Sequence, residues 1–248
     1  MSNEQPHTRQ TETGQTEMGQ IETRHIDTRQ IDTRQIDTVI FDLGGVLMHN
    51  GRHADFVRRF PAEHAEAALR IFMGDYGADN DHPWHRLERG EITFAECQQL
   101  NRAAFAEAGI SLPAMERPAS SEGAAPLMTF QPNLAMMDLV DRLRGAGLRL
   151  GILTNNIREF RDLWRNLMPY EELFDDIVDS HEVGLRKPNP AIYELALTRL
   201  CATAERAAFL DDVATNVAAA EAVGMYGVMV DEDSAPAIAT VERLAALG

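Results

Sequence analysis

Apolar positions along the chain follow two patterns in turn. From about Arg52 to Gly109 they recur three and four residues apart, as on one face of a helix. Ala62–Met73 carries such a face, and Thr93–Ala108 opens on Thr93-Phe94-Ala95-Glu96, a capping-box sequence. Beyond Pro132, short apolar runs alternate with helical stretches. Helices are predicted over Asn133–Arg144, Ile157–Leu167, Ala191–Leu200, Thr215–Val223 and Ala237–Ala246. Strands are predicted over Leu148–Leu153, Asp176–Val178, Ala207–Leu210 and Val228–Val230, with Val39-Ile40-Phe41 as a further buried strand near the start. This alternation predicts an α/β fold, a doubly wound parallel sheet. The helical stretch after the first strand then reads as an inserted cap.

The domain scheme that follows is a tail over 1–37, a core made of 38–50 and 130–248, and a helical cap with its connector over 51–129. Residues 111–126, rich in Pro, Ser and Ala, suit the connector. From Ile21 the tail repeats a five-residue unit, Ile-Glu-Thr-Arg-His and then Ile-Asp-Thr-Arg-Gln twice. A five-residue period matches neither helix nor strand, and one isoleucine per unit cannot build a core, so a disordered tail is expected.

Composition narrows the setting. The formal net charge of −16 argues against a nucleic-acid or anionic-membrane surface, which needs clustered Lys and Arg. Neither a membrane-crossing apolar run nor the apolar core of a signal peptide is found, so a cytoplasmic protein is expected. Cys97 and Cys201 each fall in a predicted helix and are read as buried packing residues rather than a disulfide framework.

Candidate chemistry lies where strands end. Val39–Phe41 runs into Asp42, Leu148–Leu153 into Thr154, and Ala207–Leu210 into Asp211-Asp212. The carboxyl ends of parallel strands share one edge, where ligands bind. Each residue could instead cap the following helix, which Asp and Thr do well.

Four segments, in order, resemble the four motifs of the haloacid dehalogenase (HAD) superfamily. They are Phe41-Asp42-Leu43-Gly44-Gly45-Val46-Leu47; Leu153-Thr154-Asn155; Gly184-Leu185-Arg186-Lys187-Pro188-Asn189-Pro190; and Phe209-Leu210-Asp211-Asp212 with Asn216 and Gly224-Met225. The resemblance implies a Rossmann-like core and a Mg²⁺-dependent phosphohydrolase. In it Asp42 is the covalent nucleophile; Thr154, Asn155 and Lys187 bind the phosphoryl group; and Lys187 offsets developing charge. The metal would be held by Asp42, the carbonyl of Gly44 and Asp212. Aligning Asn216 with the family's last acidic position puts Asp211 and Asn216 behind these ligands. The implied partner is a small phosphorylated metabolite.

One position departs from the pattern. Family phosphatases usually have Asp two residues after the nucleophile, where it protonates the leaving alcohol, but Gly44 has no side chain to do so. His49, His82 and His85 are candidate replacements. The stretch Trp84-His85-Arg86-Leu87-Glu88-Arg89-Gly90-Glu91-Ile92-Thr93 resembles the phosphatase domain of soluble epoxide hydrolase. It is more similar still to the HAD domain fused to some acyl-CoA dehydrogenases. Lipid or hydroxy-acyl phosphates are then candidate substrates. Trp84, Phe72 and Met73 could line their pocket, although packing within the cap also accounts for them. Two other readings stay open. Gly44 suits a weakened, phospho-ligand-binding or regulatory protein. A 2-haloacid dehalogenase would share the nucleophile, but the Asp211-Asp212 pair and the missing aromatic at position 44 count against it.

Overall fold

The computed structural model describes residues 36–49, 58–112 and 131–247. The repeat through Gln35 and most of the expected connector lie outside the described residues. The chain starts with β1 (Thr38–Phe41) and a two-residue strand, β2 (Met48–His49). Among the described residues, three lid helices follow: α1 (Ala62–Met73), α2 (Pro83–Glu88) and α3 (Phe94–Glu107). The chain returns through β3 (Gln131–Pro132), which pairs antiparallel with β2. The remainder runs α4 (Leu134–Gly145), β4 (Arg149–Thr154), α5 (Arg161–Arg165), α6 (Tyr170–Leu173), β5 (Asp176–Asp179) and α7 (Ser180–Val183). It continues through α8 (Pro190–Arg199), β6 (Ala207–Asp211), α9 (Ala214–Ala222), β7 (Tyr226–Met229) and α10 (Ala235–Leu244).

The five-stranded sheet has the order β5-β4-β1-β6-β7, and every pairing is parallel. The central strands are apolar at nearly every position because both faces are covered. In β1, Val39 and Phe41 enter one core with α4 and α10, whereas Ile40 enters the other with α8 and α9. In β6, Ala208 and Leu210 alternate in the same way with Ala207 and Phe209. This two-sided burial fixes register, since a one-residue slip would exchange the faces of every side chain. It also aligns the ends of β4, β1 and β6 along one edge.

The lid has its own core, in which Met73, Trp84, Leu87 and Cys97 gather around Ile157 from the main body. The expected capping box on α3 forms: Glu96 N donates to Thr93 Oγ1 at 3.2 Å, and Thr93 N donates to Glu96 Oε2 at 2.7 Å. Trp84 and Phe72 pack together with ring centroids 5.0 Å apart, and Met73 joins the same lid core while also lining a cavity there.

The structure corrects four sequence-based expectations. Ile36 and Asp37, assigned to the tail, belong to the core: Ile36 is buried and donates its N–H to Leu244 O at 3.3 Å. The helix expected over Ile157–Leu167 is a 3₁₀ turn at Arg158–Phe160 followed by α5. The break occurs because Ile157 and Phe160 pack toward the lid while Trp164 packs into the main core. Cys201 is exposed just past α8, with a left-handed φ of 50°, whereas Cys97 is buried as expected. The four-residue helices α6 and α7 are too short to show a period and were missed.

Candidate active site

Asp42 lies one residue beyond β1, and its N–H still donates to Leu210 O at 2.8 Å, so the β1–β6 ladder sets its position. The loop behind it closes tightly. Met48 N donates to Leu43 O at 2.9 Å, and Gly45 N donates to Met48 O at 2.7 Å. Gly45 adopts a left-handed φ of 81°, and a Cβ there would lie 2.1 Å from Asp212 Oδ2. Glycine therefore meets both a conformational and a spatial demand. From the start of α4, Asn133 braces the same loop, with Nδ2 donating to Val46 O at 3.1 Å and N donating to Leu47 O at 2.9 Å.

Lys187 is the chain's single lysine; every other strongly basic side chain is an arginine. It is buried, and its Nζ lies 2.8 Å from Asp42 Oδ1 and 2.6 Å from Asp211 Oδ2. A compact ammonium can join two carboxylates in this way, whereas the flat fork of arginine demands more room. The lysine's own peptide is clamped by Asn155: Lys187 N donates to Asn155 Oδ1 at 2.8 Å, and Asn155 Nδ2 donates to Lys187 O at 3.0 Å. Asn155 thus spends its side-chain amide on placing Lys187. Thr154 ends β4, buried, on the strand beside β1.

Asp211 and Asp212 differ in surroundings. Asp211 is wholly buried and accepts from Lys187, from Val213 N at 2.8 Å and from Asn216 Nδ2 at 3.1 and 3.2 Å. Asp212 is partly exposed and lies against Gly45. Asn216 is fixed in turn, its carbonyl accepting from Tyr193 Oη at 2.9 Å.

Oxygens of Asp42, Asp211 and Asp212 all lie within 4.8 Å of one another. Nearby, the buried Asn216 Oδ1 has no hydrogen-bond partner. Burial raises the pKa of Asp42 to about 8; Asp211 and Asp212 push it the same way, while Lys187 opposes. Lys187 remains a cation, because the attraction of Asp211 and Asp42 outweighs the cost of its burial. This crowd of hard oxygens suits a small divalent cation such as Mg²⁺.

The lid closes over this edge. Gly77 abuts Thr215, with a Cβ there falling 3.0 Å from Thr215 Cγ2, and Asp79 Oδ2 accepts from Asn189 Nδ2 at 3.1 Å. Arg186, fully buried beside Lys187, donates Nε to Glu88 Oε2 at 2.8 Å, Nη1 to Ala78 O and Nη2 to Tyr76 O at 3.5 Å. Glu88 Oε1 also accepts from Trp84 Nε1 at 2.8 Å. Arg186, Glu88, Asn133 and Tyr76 were not singled out from the sequence. A buried ion pair between distant segments leaves no periodic trace, although Arg186 adjoins the recognised lysine.

Two of the candidate histidines, His82 and His85, are held in contacts within the lid. His82 caps α2, its Nδ1 accepting from Trp84 N at 3.1 Å, and His85 Nδ1 accepts from Asn80 N at 3.3 Å. Burial, helped by Arg186 and His82, depresses His85 to about 4, and burial also lowers His82. Both rings are therefore neutral near pH 7, a poor state for donating a proton. His49 is exposed at the end of β2.

Comparisons with known proteins bear on the family. A family model described as haloacid dehalogenase-like hydrolase matches residues 36–224. Sesquiterpene phosphatase astK of Aspergillus oryzae is 32% identical over 200 residues, covering 79% of this chain and 90% of that protein. Acyl-CoA dehydrogenase family member 10 of Mus musculus is 30% identical over 213 residues, 85% of this chain but only 19% of that longer protein. Among solved structures, a HAD family enzyme of Bacteroides thetaiotaomicron in complex with magnesium and inorganic phosphate superposes with a TM-score of 0.55. Its sequence identity is 19%, and the match covers 81% of this chain and 98% of that one. The match over residues 36–224, together with the parallel sheet and the acidic edge, leads to one conclusion: this chain belongs to the haloacid dehalogenase-like hydrolases.

Proposed function

We propose that the protein is a Mg²⁺-dependent phosphohydrolase that cleaves a small-molecule phosphate monoester through an aspartyl-phosphate on Asp42. The observation that carries this reading is the Lys187 ammonium bridging Asp42 and Asp211 at the strand-end edge, with Asp212 alongside. The phosphatase name of the Aspergillus relative supports it, as does the magnesium–phosphate complex of the structural neighbour.

Asp42, the Gly44 carbonyl and Asp212 would hold the metal. When bound, Mg²⁺ screens the phosphoryl oxygens and lessens their repulsion of an anionic nucleophile. A carboxylate oxygen of Asp42 forms the new bond to phosphorus as the ester P–O bond breaks and its electrons leave with the alcohol oxygen. Water then cleaves the acyl phosphate, releasing phosphate and restoring Asp42. Lys187 holds the attacking carboxylate in place and balances charge, while Thr154 and the backbone of Asn155 face the transferring group. Gly44 supplies no proton to the departing alkoxide, so the site favours substrates whose leaving group needs none. A cavity of about 540 Å³ on the lid is lined by Leu69, Met73 and Tyr76 together with Glu66, Arg70, Gly74 and Asp75. A lipid-like or hydroxy-acyl phosphate is the substrate class proposed, supported by the name of the sesquiterpene phosphatase relative.

The test is turnover of an aryl, acyl and alkyl phosphate series by purified protein with and without Mg²⁺. Mg²⁺-dependent release of phosphate is expected, fastest for aryl and acyl phosphates. The Asp42→Asn variant should be folded and slower by about 10⁴-fold or more. Gly44 also favours a second reading, a phospho-ligand binder. In that case phosphate and Mg²⁺ would bind with negligible turnover across the whole series.

A further inference from the structure

Lid and core meet through a buried arginine that the mechanism above does not use. Arg186 precedes Lys187, yet the two side chains go to different places: Lys187 to the carboxylates, Arg186 to the lid. The guanidinium is fully buried, pairs with Glu88 at 2.8 Å, and bonds to the carbonyls of Ala78 and Tyr76. It also lies 5.3 Å from the centre of the Tyr76 ring. The segment held in this way reaches the starts of two helices that follow site residues, α9 and α8. Gly77 rests on Thr215, three residues beyond Asp212, and Asp79 accepts from Asn189, two residues beyond Lys187. Its leading residue, Tyr76, lines the cavity together with Leu69 and Met73.

We propose that Arg186 is a positioning residue that pins lid residues 76–79 across the Asp42 edge, so that Tyr76 forms the wall against which the substrate's leaving group lies. The placement of the leaving group rests on the phosphohydrolase reading; the pinning does not. Because a planar guanidinium reaches a carboxylate and two carbonyls at once, it fixes the orientation of the segment, which a single point charge would not do. Lid position and lysine position are then set from neighbouring residues of one loop.

Two variants test the proposal. Arg186→Met removes the pin but strands a buried Glu88. The double variant Arg186→Met/Glu88→Gln removes both charges, and the new amide can still accept from Trp84. Hydrogen–deuterium exchange should show amides 76–80 exchanging about tenfold faster in the double variant, with β1 and α4 unchanged. Steady-state kinetics with Mg²⁺ should show KM for a long-chain alkyl phosphate rising about tenfold, while kcat for acetyl phosphate stays within about threefold. Unchanged exchange at 76–80 would overturn the pinning. A parallel loss on both substrates, following the loss of melting temperature, would overturn the positioning role in favour of a purely structural one. If wild type hydrolyses neither substrate, the phosphohydrolase reading and the leaving-group wall fail together, and the exchange result still decides whether Arg186 pins the segment.

Discussion

Asp211 and Asp212 are adjacent and chemically identical, but their surroundings divide the work between them. Asp211 accepts from Lys187, Val213 N and Asn216 and is wholly buried. Asp211→Asn would turn an acceptor into a partial donor facing donors and leave Lys187 short of a partner, at a cost of about 3–5 kcal/mol. Asp212→Asn should abolish the rise in melting temperature that Mg²⁺ produces. Thermal melts titrated with Mg²⁺ separate the two effects, and an undiminished Mg²⁺ response in Asp212→Asn would move the metal to Asp211. The same method checks Gly45. With φ at 81° and a Cβ position 2.1 Å from Asp212 Oδ2, Gly45→Ala carries about 1–2 kcal/mol of backbone strain and must displace Asp212. Both a lower melting temperature and weaker Mg²⁺ stabilisation are expected, and a variant that melts and binds like wild type would show that the loop relaxes freely.

The helix α2 illustrates what an element can hide. It is six residues long, opened by His82 as cap and Pro83 in its first turn, and it buries His85 and Glu88 side by side with Trp84 and Leu87. His85 is fully buried, and its pKa falls from 6.5 to about 4, first through burial and then through Arg186. The unfolded chain binds a proton below pH 6.5 that the folded chain refuses until about pH 4. The stability tied to a neutral His85 is therefore complete above pH 6.5 and drains away as pH falls toward 4. His85→Gln should melt below wild type at pH 7, and the gap should narrow steadily between pH 6.5 and 4. Parallel melting curves across that range would show that His85 titrates normally.

In the whole molecule, the two edges of the sheet have different duties. The carboxyl edge carries Asp42, Thr154 and Asp211. The opposite edge is a seam where Asp37 N bonds to Arg206 O, and the Asp37 carboxylate meets Arg206 at 2.8 Å and Arg149 at 3.2 Å. Ile36, beside it, is buried and bonded to the end of α10. Ile36→Ala should lower stability by about 2 kcal/mol, read as a lower midpoint in urea, without changing kcat/KM at temperatures where the variant is folded. A change in kcat/KM would mean that the seam communicates with the site. Among the described residues, no helix is long and apolar enough to cross a membrane.

Local pattern alone determined most of the elements and the strand ends that carry the chemistry. Val39-Ile40-Phe41 reads as a two-sided buried strand, Thr93-Phe94-Ala95-Glu96 signals a helix cap, and three strands ending in Asp42, Thr154 and Asp211 must share an edge once the sheet is parallel. Contacts between distant segments were beyond that reach. The amide of Asn155 could be read as a phosphate donor until its clamp on the Lys187 peptide was seen. Ile157–Leu167 kept a helical period, but two cores pulling on it broke the helix. Arg186 and Glu88 look like ordinary surface charges in sequence, and only the fold buries them against each other. Periodicity records which way a residue faces within its own element. Which partner it meets there depends on loop closure and packing between segments far apart in the chain, and the tertiary structure decides it.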